Sequence, residues 1–97
     1  MRHEIILAPE ASEQFQRLRA RIRAAVRDAL ETYLRFEPTK SSKNRIKRLR
    51  GMKRPEYRLR VEEIRVYYDV TEDTVEVLAI VAKSEAQAWL EGKGERT

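Results

Sequence analysis

Apolar residues recur at three- and four-residue intervals in the first third of the chain, from Phe15 to Leu34. This spacing places them on one face of an amphipathic helix. A single helix from Pro9 to Phe36 would be about 42 Å long, whereas a domain of this size is only about 30 Å across. The pattern therefore predicts two helical pieces, with a bend or hairpin near Leu18 to Arg21, that pack on the same sheet.

The other apolar runs are short, and they are typical of strands. One run, Glu4 to Leu7, precedes the helical region, and three follow it in quick succession: Glu56 to Val61, Ile64 to Val70 and Thr74 to Val81. The connections between these last three runs are short enough for hairpins. The pattern ends in a short helix, Glu85 to Leu90, for which Ser84 is a candidate cap and Gly92 and Gly94 are candidate stop signals.

This order of elements predicts one domain, residues 1–97, with an α+β fold. The sheet is expected to have four antiparallel strands in the chain order β-α-α-β-β-β. The helices are expected to pack on one face, with a short helix at the C-terminal end. The opposite face of the sheet is then partly open.

The composition excludes several kinds of site. The chain has no cysteine, so disulfides and thiolate metal sites are impossible. Its one histidine, His3, cannot form a histidine cluster, and no metal or cofactor is predicted. The longest apolar runs are far shorter than the ~20 residues of a membrane span. We therefore expect a cytoplasmic protein that does not bind membranes.

Positive charge is concentrated in one segment. Residues 40–60 contain ten basic residues and one acid, which gives that segment a net charge of +9, whereas the rest of the chain carries −4. Such a concentration attracts polyanions, because phosphate neutralisation releases condensed counterions; an ordinary solvated loop is the alternative. The basic residues are Lys40, Lys43, Arg45, Lys47, Arg48, Arg50, Lys53, Arg54, Arg58 and Arg60.

Strand alternation places several of these residues on the open face of the sheet. Arg58, Arg60, Arg65 and Tyr67 all point away from the predicted core. Arginine binds phosphate with two nitrogens and an aromatic ring stacks on bases, so the set suits RNA. An exposed sheet face with arginines paired to glutamates explains the pattern equally well.

Four segments in a fixed order carry a resemblance to a known family. They are Ile46 to Gly51, Tyr57 to Arg60, Ile64 to Val70 and Val77 to Val81. Together with the opening strand and the first helix, they resemble the RelE/ParE toxin superfamily over nearly the whole chain. These toxins belong to type II toxin–antitoxin systems: the RelE branch cleaves messenger RNA in the ribosomal A site, and the ParE branch poisons DNA gyrase.

The resemblance to the RelE branch implies a role for each basic residue of the open face. Arg65 and Lys83 correspond to groups that stabilise the transition state of a metal-independent attack by the RNA 2′-OH, and Arg58 and Arg60 to groups that orient the backbone. Trp89 falls where the family usually has a tyrosine. The residues expected to bind RNA around this centre are Lys43, Arg45, Lys47, Arg48, Arg50, Lys53, Arg54, Tyr67 and Trp89.

Two departures from the family leave other functions open. An arginine stays charged at physiological pH, so Arg58 and Arg60 are poor general bases. Trp89 has no ionisable hydroxyl and cannot transfer a proton. A gyrase inhibitor of the ParE type and a non-catalytic module that binds RNA or the ribosome are therefore the alternatives.

The resemblance also implies partners. Besides messenger RNA and the ribosome, these are a cognate antitoxin that forms a hetero-oligomer with the toxin. The expected contact is an acidic antitoxin segment over Arg58, Arg60 and Arg65, or an apolar antitoxin helix beside the long helices.

Overall fold

The computed structural model describes residues 2–97, which form three helices, a π-helical turn and seven strands. The helices are α1 (Pro9–Arg17), α2 (Ala20–Ala29), which continues into the π-helical turn Leu30–Leu34, and α3 (Lys83–Lys93). The strands are β1 (Glu4–Leu7), β2 (Ile46–Arg48), β3 (Met52–Arg54), β4 (Tyr57–Val61), β5 (Ile64–Val70), β6 (Thr74–Ala82) and β7 (Glu95–Arg96).

The predicted break in the helical region is confirmed at Leu18 and Arg19. Both residues have extended backbone, with ψ of 147° and 150°, and they separate α1 from α2. The Arg23 side chain donates a hydrogen bond of 2.7 Å to the carbonyl of Leu18. This bond satisfies a carbonyl that the end of α1 leaves without a helical partner.

The sheet differs from the predicted four antiparallel strands. It is a mixed five-stranded sheet in the order β1-β6-β5-β4-β2, in which β1 runs parallel to β6 and the other pairs are antiparallel. The extra strand, β2, has three residues, of which only Ile46 is buried. Because two of its three side chains face solvent, β2 has no apolar run that predicts it.

The main core lies between the sheet and the pair α1–α2. Val26 and Leu34 from the helical side pack with Leu59, Val66 and Tyr68 from the strands. The buried hydroxyl of Tyr68 donates a 2.7 Å hydrogen bond to the Pro38 carbonyl, which ties the chain after the helices to the sheet. The predicted placement of these helices on one face is confirmed.

An irregularity in β6 reverses the alternation of its side chains. Tyr68 pairs with Val77 and Tyr67 pairs with Ala79, so Leu78 is an extra residue. Such a bulge adds one residue to one strand of a pair. As a result, Val77 and Ile80 both face the main core although they are three positions apart in the sequence.

Helix α3 packs on the other face of the sheet and covers part of the surface that was expected to be open. Ala86 contacts Ala79 and Val81 in a second, smaller core. The helix begins earlier than predicted, at Lys83, so Ser84 lies in its first turn and is not its cap. It also runs past Gly92 and ends at Gly94.

A two-stranded ribbon follows α3, formed by β7 and β3. The Thr97 amide also donates to the Gly51 carbonyl at 3.0 Å. Gly94 makes this return possible, since a Cβ there would lie 2.5 Å from Cε of Met52 and 2.6 Å from the Leu90 carbonyl oxygen. No helix within residues 2–97 is long and apolar enough to cross a membrane.

Candidate functional site

Three arginines come together on the face of the sheet that carries α3. Arg60 of β4 is the direct register partner of Arg65 of β5, and Arg58 lies two residues before Arg60 on the same face. We call Arg58, Arg60 and Arg65 the arginine cluster. The sequence predicted this grouping from strand alternation.

In the chain that the structure describes, no ion pair neutralises the arginine cluster. Within residues 2–97, none of its three members lies within 4.0 Å of a carboxylate oxygen. Like charges directly opposite each other in an antiparallel pair are destabilising. An arrangement that costs stability in this way is typical of a functional site.

Arg65 is the anchored member of the cluster. Its side chain is 7% exposed, and its Nη1 donates to the carbonyls of Glu62 at 2.9 Å and Ile64 at 3.0 Å. Burial lowers the pKa of Arg65, and the charges of Arg58 and Arg60 lower it further. The two hydrogen bonds fix the guanidinium against the β4–β5 turn, where Glu62 has a φ of +54°.

Arg58 carries an unsatisfied donor. Its Nε is buried and has no hydrogen-bond partner in the part of the chain that the structure describes. Arg58 also lies directly opposite Lys47 of β2. Arg60, by contrast, is exposed. The cluster therefore combines a fixed charge, a half-buried charge and a charge that solvent or a ligand can reach.

The aromatic residues of the site stack on each other. The rings of Tyr67 and Trp89 are 5.3 Å apart and nearly parallel, at 6°. Tyr67 is 3% exposed, because α3 lies over it, and burial raises its pKa. The expectation that Tyr67 lies open for a base is therefore wrong.

Trp89 anchors α3 to the rest of the fold. One face of its ring meets Tyr67, and its Nε1 donates to a Glu10 carboxylate oxygen at 3.4 Å. Lys93 reaches the same oxygen at 3.6 Å. The ring is half-buried, so its contacts with the protein hold the helix in place over the sheet.

Lys83 is exposed at the first position of α3. Its backbone amide donates to the Glu63 carbonyl at 2.7 Å, and the preceding residue, Ala82, pairs with Ile64. This contact brings the start of α3 to the hairpin turn that holds Arg65. The position is the one that the sequence resemblance assigned to a fourth cation.

The seven remaining predicted RNA-binding residues spread along β2, β3 and the loops beside them, and all of them are exposed. Arg48 pairs with Glu56 at 3.3 Å, and Arg54 pairs with Glu76 at 3.2 Å. Arg45 lies over the Tyr33 ring at 4.6 Å. In the described residues, five have no carboxylate within 4.0 Å: Lys43, Arg45, Lys47, Arg50 and Lys53.

A groove of about 610 Å³ lies between β2, the turn that follows it and α3. We call it the basic groove. The sequence predicted Lys47, Arg48 and Arg50 on one wall as RNA-binding residues. It did not predict the opposite wall, because Gln87, Leu90 and Arg96 come from the C-terminal region, far from the charge-rich segment. The full lining is Lys47, Arg48, Leu49, Arg50, Met52, Gln87, Leu90 and Arg96.

His3 lies away from the arginine cluster. It precedes β1, and its backbone amide donates to the Arg35 carbonyl at 2.7 Å. Strands β6 and β5 separate β1 from β4 in the sheet. Within residues 2–97, no group of three or more histidine, aspartate or glutamate side chains could hold a metal ion.

Comparison with known proteins relates most of the chain to a family of toxins. A family model described as the ParE toxin of the type II toxin–antitoxin system parDE matches residues 5–87. No match was found among curated protein sequences.

Solved structures with the same fold include a chain of the RelBE2 toxin–antitoxin complex from Mycobacterium tuberculosis, 23% identical, with a TM-score of 0.68 over 84% of this chain and 99% of that one. A chain of the archaeal RelE–RelB complex from Pyrococcus horikoshii is 22% identical, with a TM-score of 0.64 over 86% and 97%. A chain of the YoeB dimer from Staphylococcus aureus is 18% identical, with a TM-score of 0.62 over 81% and 94%.

Proposed function

The chain belongs to the ParE toxin family of type II toxin–antitoxin systems, within the RelE/ParE superfamily, and we propose that it arrests growth by cleaving messenger RNA in the ribosomal A site. The observation that carries the proposal is the arginine cluster. Its three guanidiniums lie on two adjacent strands, and within residues 2–97 none has a carboxylate oxygen within 4.0 Å. A phosphodiester is the ligand whose charge and geometry match such a site.

The proposed reaction is an internal displacement at phosphorus. The RNA 2′-oxygen bonds to the adjacent phosphorus, and the bond from phosphorus to the 5′-oxygen breaks. The proton of the 2′-OH goes to water, and the 5′-oxygen takes a proton from water. The products are a 2′,3′-cyclic phosphate and a 5′-hydroxyl.

Arg65 and Lys83 stabilise the negative charge that develops on the phosphorane. The hydrogen bonds of Arg65 to two backbone carbonyls hold its charge in position before the substrate binds. Fixed charges of this kind need no reorganisation during the reaction, and the loss of one such group typically slows a reaction about 10²–10³-fold. Arg58 and Arg60 orient the RNA backbone, and the exposed Lys43 and Lys53 hold flanking phosphates.

The cluster contains no side chain that transfers protons. The arginines stay protonated, and Trp89, at the position of the family's usual tyrosine, donates only an indole N–H to Glu10. Because general acid–base catalysis contributes about 10²–10⁴-fold, the enzyme is expected to be slow. Cleavage depends on positioning and electrostatic stabilisation alone.

Expression in cells followed by mapping of messenger RNA 5′ ends tests the proposal. Arg60→Gln is the most informative variant, because Arg60 is exposed and its side chain makes no ion pair in the described part of the chain. We expect new 5′-hydroxyl ends with the natural sequence and few with Arg60→Gln. Arg19→Gln, an exposed arginine at the start of α2, is the matched control and should cleave normally.

Two observations favour a second function, inhibition of DNA gyrase. The matching family model describes ParE toxins, and the arginine cluster has no group for proton transfer. Under this alternative, growth stops without new RNA ends, while DNA breaks accumulate and supercoiling stalls. The same expression experiment therefore distinguishes the two functions.

A toxin of this family also implies an antitoxin. Chains with the same fold were solved in toxin–antitoxin complexes from Mycobacterium tuberculosis and Pyrococcus horikoshii, and we propose that this chain likewise forms a hetero-oligomer with an antitoxin. The high positive charge of the site favours an acidic partner segment. Co-purification with the product of a neighbouring short acidic reading frame would test this.

A further inference from the structure

The outer edge of β6 changes its neighbour halfway along the strand. Strand β1 pairs with β6 only as far as Leu7, which lies opposite Val77. The next residue, Ala8, donates its amide to the Val77 carbonyl at 2.8 Å, and α1 begins at Pro9. Helix α1 contacts β6 from there on. Within residues 2–97, no strand pairs with this second half of the edge.

A side chain of α1 takes the place of the missing strand at one backbone amide. The extra residue Leu78 shifts the alternation of β6. Beyond it, the amide of Ile80 donates a 2.6 Å hydrogen bond to Oε1 of Gln14. A partly buried amide without an acceptor would cost stability. Gln14 therefore satisfies a donor that the end of β1 and the bulge leave without a strand partner.

Gln14 is one end of a polar network that continues to α3. Its Nε2 donates to Oε2 of Glu10 at 3.4 Å. The same oxygen accepts a hydrogen bond from Nε1 of Trp89 at 3.4 Å and lies 3.6 Å from Nζ of Lys93. The network thus joins the edge of β6 to α3 through two side chains of α1.

The network holds the chain on both sides of Lys83. Lys83 is the first residue of α3 and directly follows β6. The network contacts the chain before it, at Ile80, and after it, at Trp89. Val81, the neighbour of Ile80, is the register partner of Arg65. The junction of β6 and α3 is therefore fixed beside the anchored member of the arginine cluster.

We propose that Gln14 and Glu10 are positioning residues for Lys83. They hold the junction of β6 and α3, so that the distance from Lys83 to Arg65 is set before RNA binds. Both act through the edge of β6 and through α3, without contact with the RNA. A misplacement of about 1 Å can slow catalysis about 100-fold. The role of Lys83 in cleavage rests on the proposed function, whereas the network does not.

Single-turnover cleavage by the purified full chain, on ribosomes carrying messenger RNA, tests the proposal. Gln14→Met keeps the length of the side chain and removes the acceptor for the Ile80 amide. We expect the rate at saturation to fall about tenfold or more. The half-saturating ribosome concentration should stay within about twofold, because the arginine cluster is unchanged. Gln16→Met, the same change at an exposed position of α1, is the matched control and should cleave at the natural rate.

Two substitutions of Glu10 separate the hydrogen bond from the charge. Glu10→Gln keeps an oxygen that accepts from Nε1 of Trp89 and loses the attraction for Lys93. It should cleave within about twofold of the natural rate, since an exposed ion pair contributes little. Glu10→Met keeps neither contact and should be as slow as Gln14→Met. When both methionine substitutions are combined, the losses should not multiply, because both break one network.

Two structural readouts do not depend on cleavage. Trp89 is the only tryptophan of the chain, and its emission should shift to longer wavelength in both methionine variants as the ring meets more water. The amide of Lys83, which donates to the Glu63 carbonyl at 2.7 Å, should exchange with deuterium faster in these variants than in the control. If the natural protein cleaves no RNA, the proposed function fails, and these readouts still decide whether the network positions Lys83.

Two results would overturn the proposal. A lower Tm for Gln14→Met with an unchanged cleavage rate per folded molecule would make the network a stabilising feature and nothing more. Natural Trp89 emission together with natural exchange of the Lys83 amide, in both methionine variants, would show that the network does not set the position of α3.

Discussion

Replacement of Arg58 by methionine should make the protein more stable and less active. The Nε of Arg58 is buried without a partner, and an unsatisfied buried donor costs about 1–3 kcal/mol. Lys47 lies directly opposite, and a like-charge cross-strand pair costs about 0.2–1 kcal/mol more. Methionine keeps an unbranched apolar stem of similar reach and has no N–H donor.

Some packing of the arginine stem is lost in this variant, so we expect a net gain in the free energy of unfolding of about 1–2 kcal/mol. For a domain of this size, that raises Tm by about 4–16 °C. Thermal unfolding, monitored by circular dichroism, measures Tm, and a urea titration measures the free energy of unfolding. Arg19→Met, at an exposed position, should stay within about 0.5 kcal/mol of the natural protein.

The reasoning fails if Arg58→Met lowers Tm, because the arginine would then stabilise the fold and its position would need no functional explanation. It also fails if the variant gains stability and keeps full toxicity, since the stability that Arg58 costs the fold would then be unrelated to activity. A gain in stability together with a loss of activity is the signature of a residue retained for function.

Other predictions concern the frame that holds the site. Gly94→Ala should lower Tm and speed amide exchange in the β3–β7 ribbon, because the added Cβ meets a buried methionine and a carbonyl, whereas Gly92→Ala, which meets nothing within 4 Å, should not. Tyr68→Phe should cost about 1–3 kcal/mol in urea unfolding, since the Pro38 carbonyl loses its partner. Burial raises the pKa of Asp69, so the folded state holds the carboxyl proton more tightly than the unfolded state does. The protein therefore loses stability as pH rises from the unfolded pKa of this carboxyl to its higher folded pKa. Asp69→Asn should therefore be more stable than the natural protein at neutral pH. Urea titrations should show that this difference in the free energy of unfolding disappears below the carboxyl's unfolded pKa. An equal difference at all pH values would show that ionisation of Asp69 is not its cause.

The central parts of the fold follow from the sequence because they have clear periodicity. The three- and four-residue spacing predicted the helices, and the break at Leu18 coincides with a change in backbone geometry. Strand β5 was predicted to the residue, since its apolar positions alternate without interruption. The arginine cluster followed from the same alternation.

The parts that the sequence missed depend on long-range contacts. Strand β2 and the ribbon of β3 and β7 have two or three residues each, too few for a periodic signal. The parallel pairing of β1 with β6 is set by the path of the helices over the sheet. The burial of Tyr67 depends on where α3 docks, and that position depends on the contacts of Trp89 with Tyr67 and Glu10.

The pH dependence of RNA cleavage tests the central claim most directly. Purified protein would be mixed with ribosomes carrying messenger RNA, and the single-turnover rate measured between about pH 6 and pH 9. Because the arginine cluster stays protonated and none of its side chains accepts the proton, the rate should rise steadily with pH, reflecting ionisation of the 2′-OH, and Arg60→Gln should lower it at every pH. A bell-shaped profile, or a complete absence of cleavage, would contradict the account.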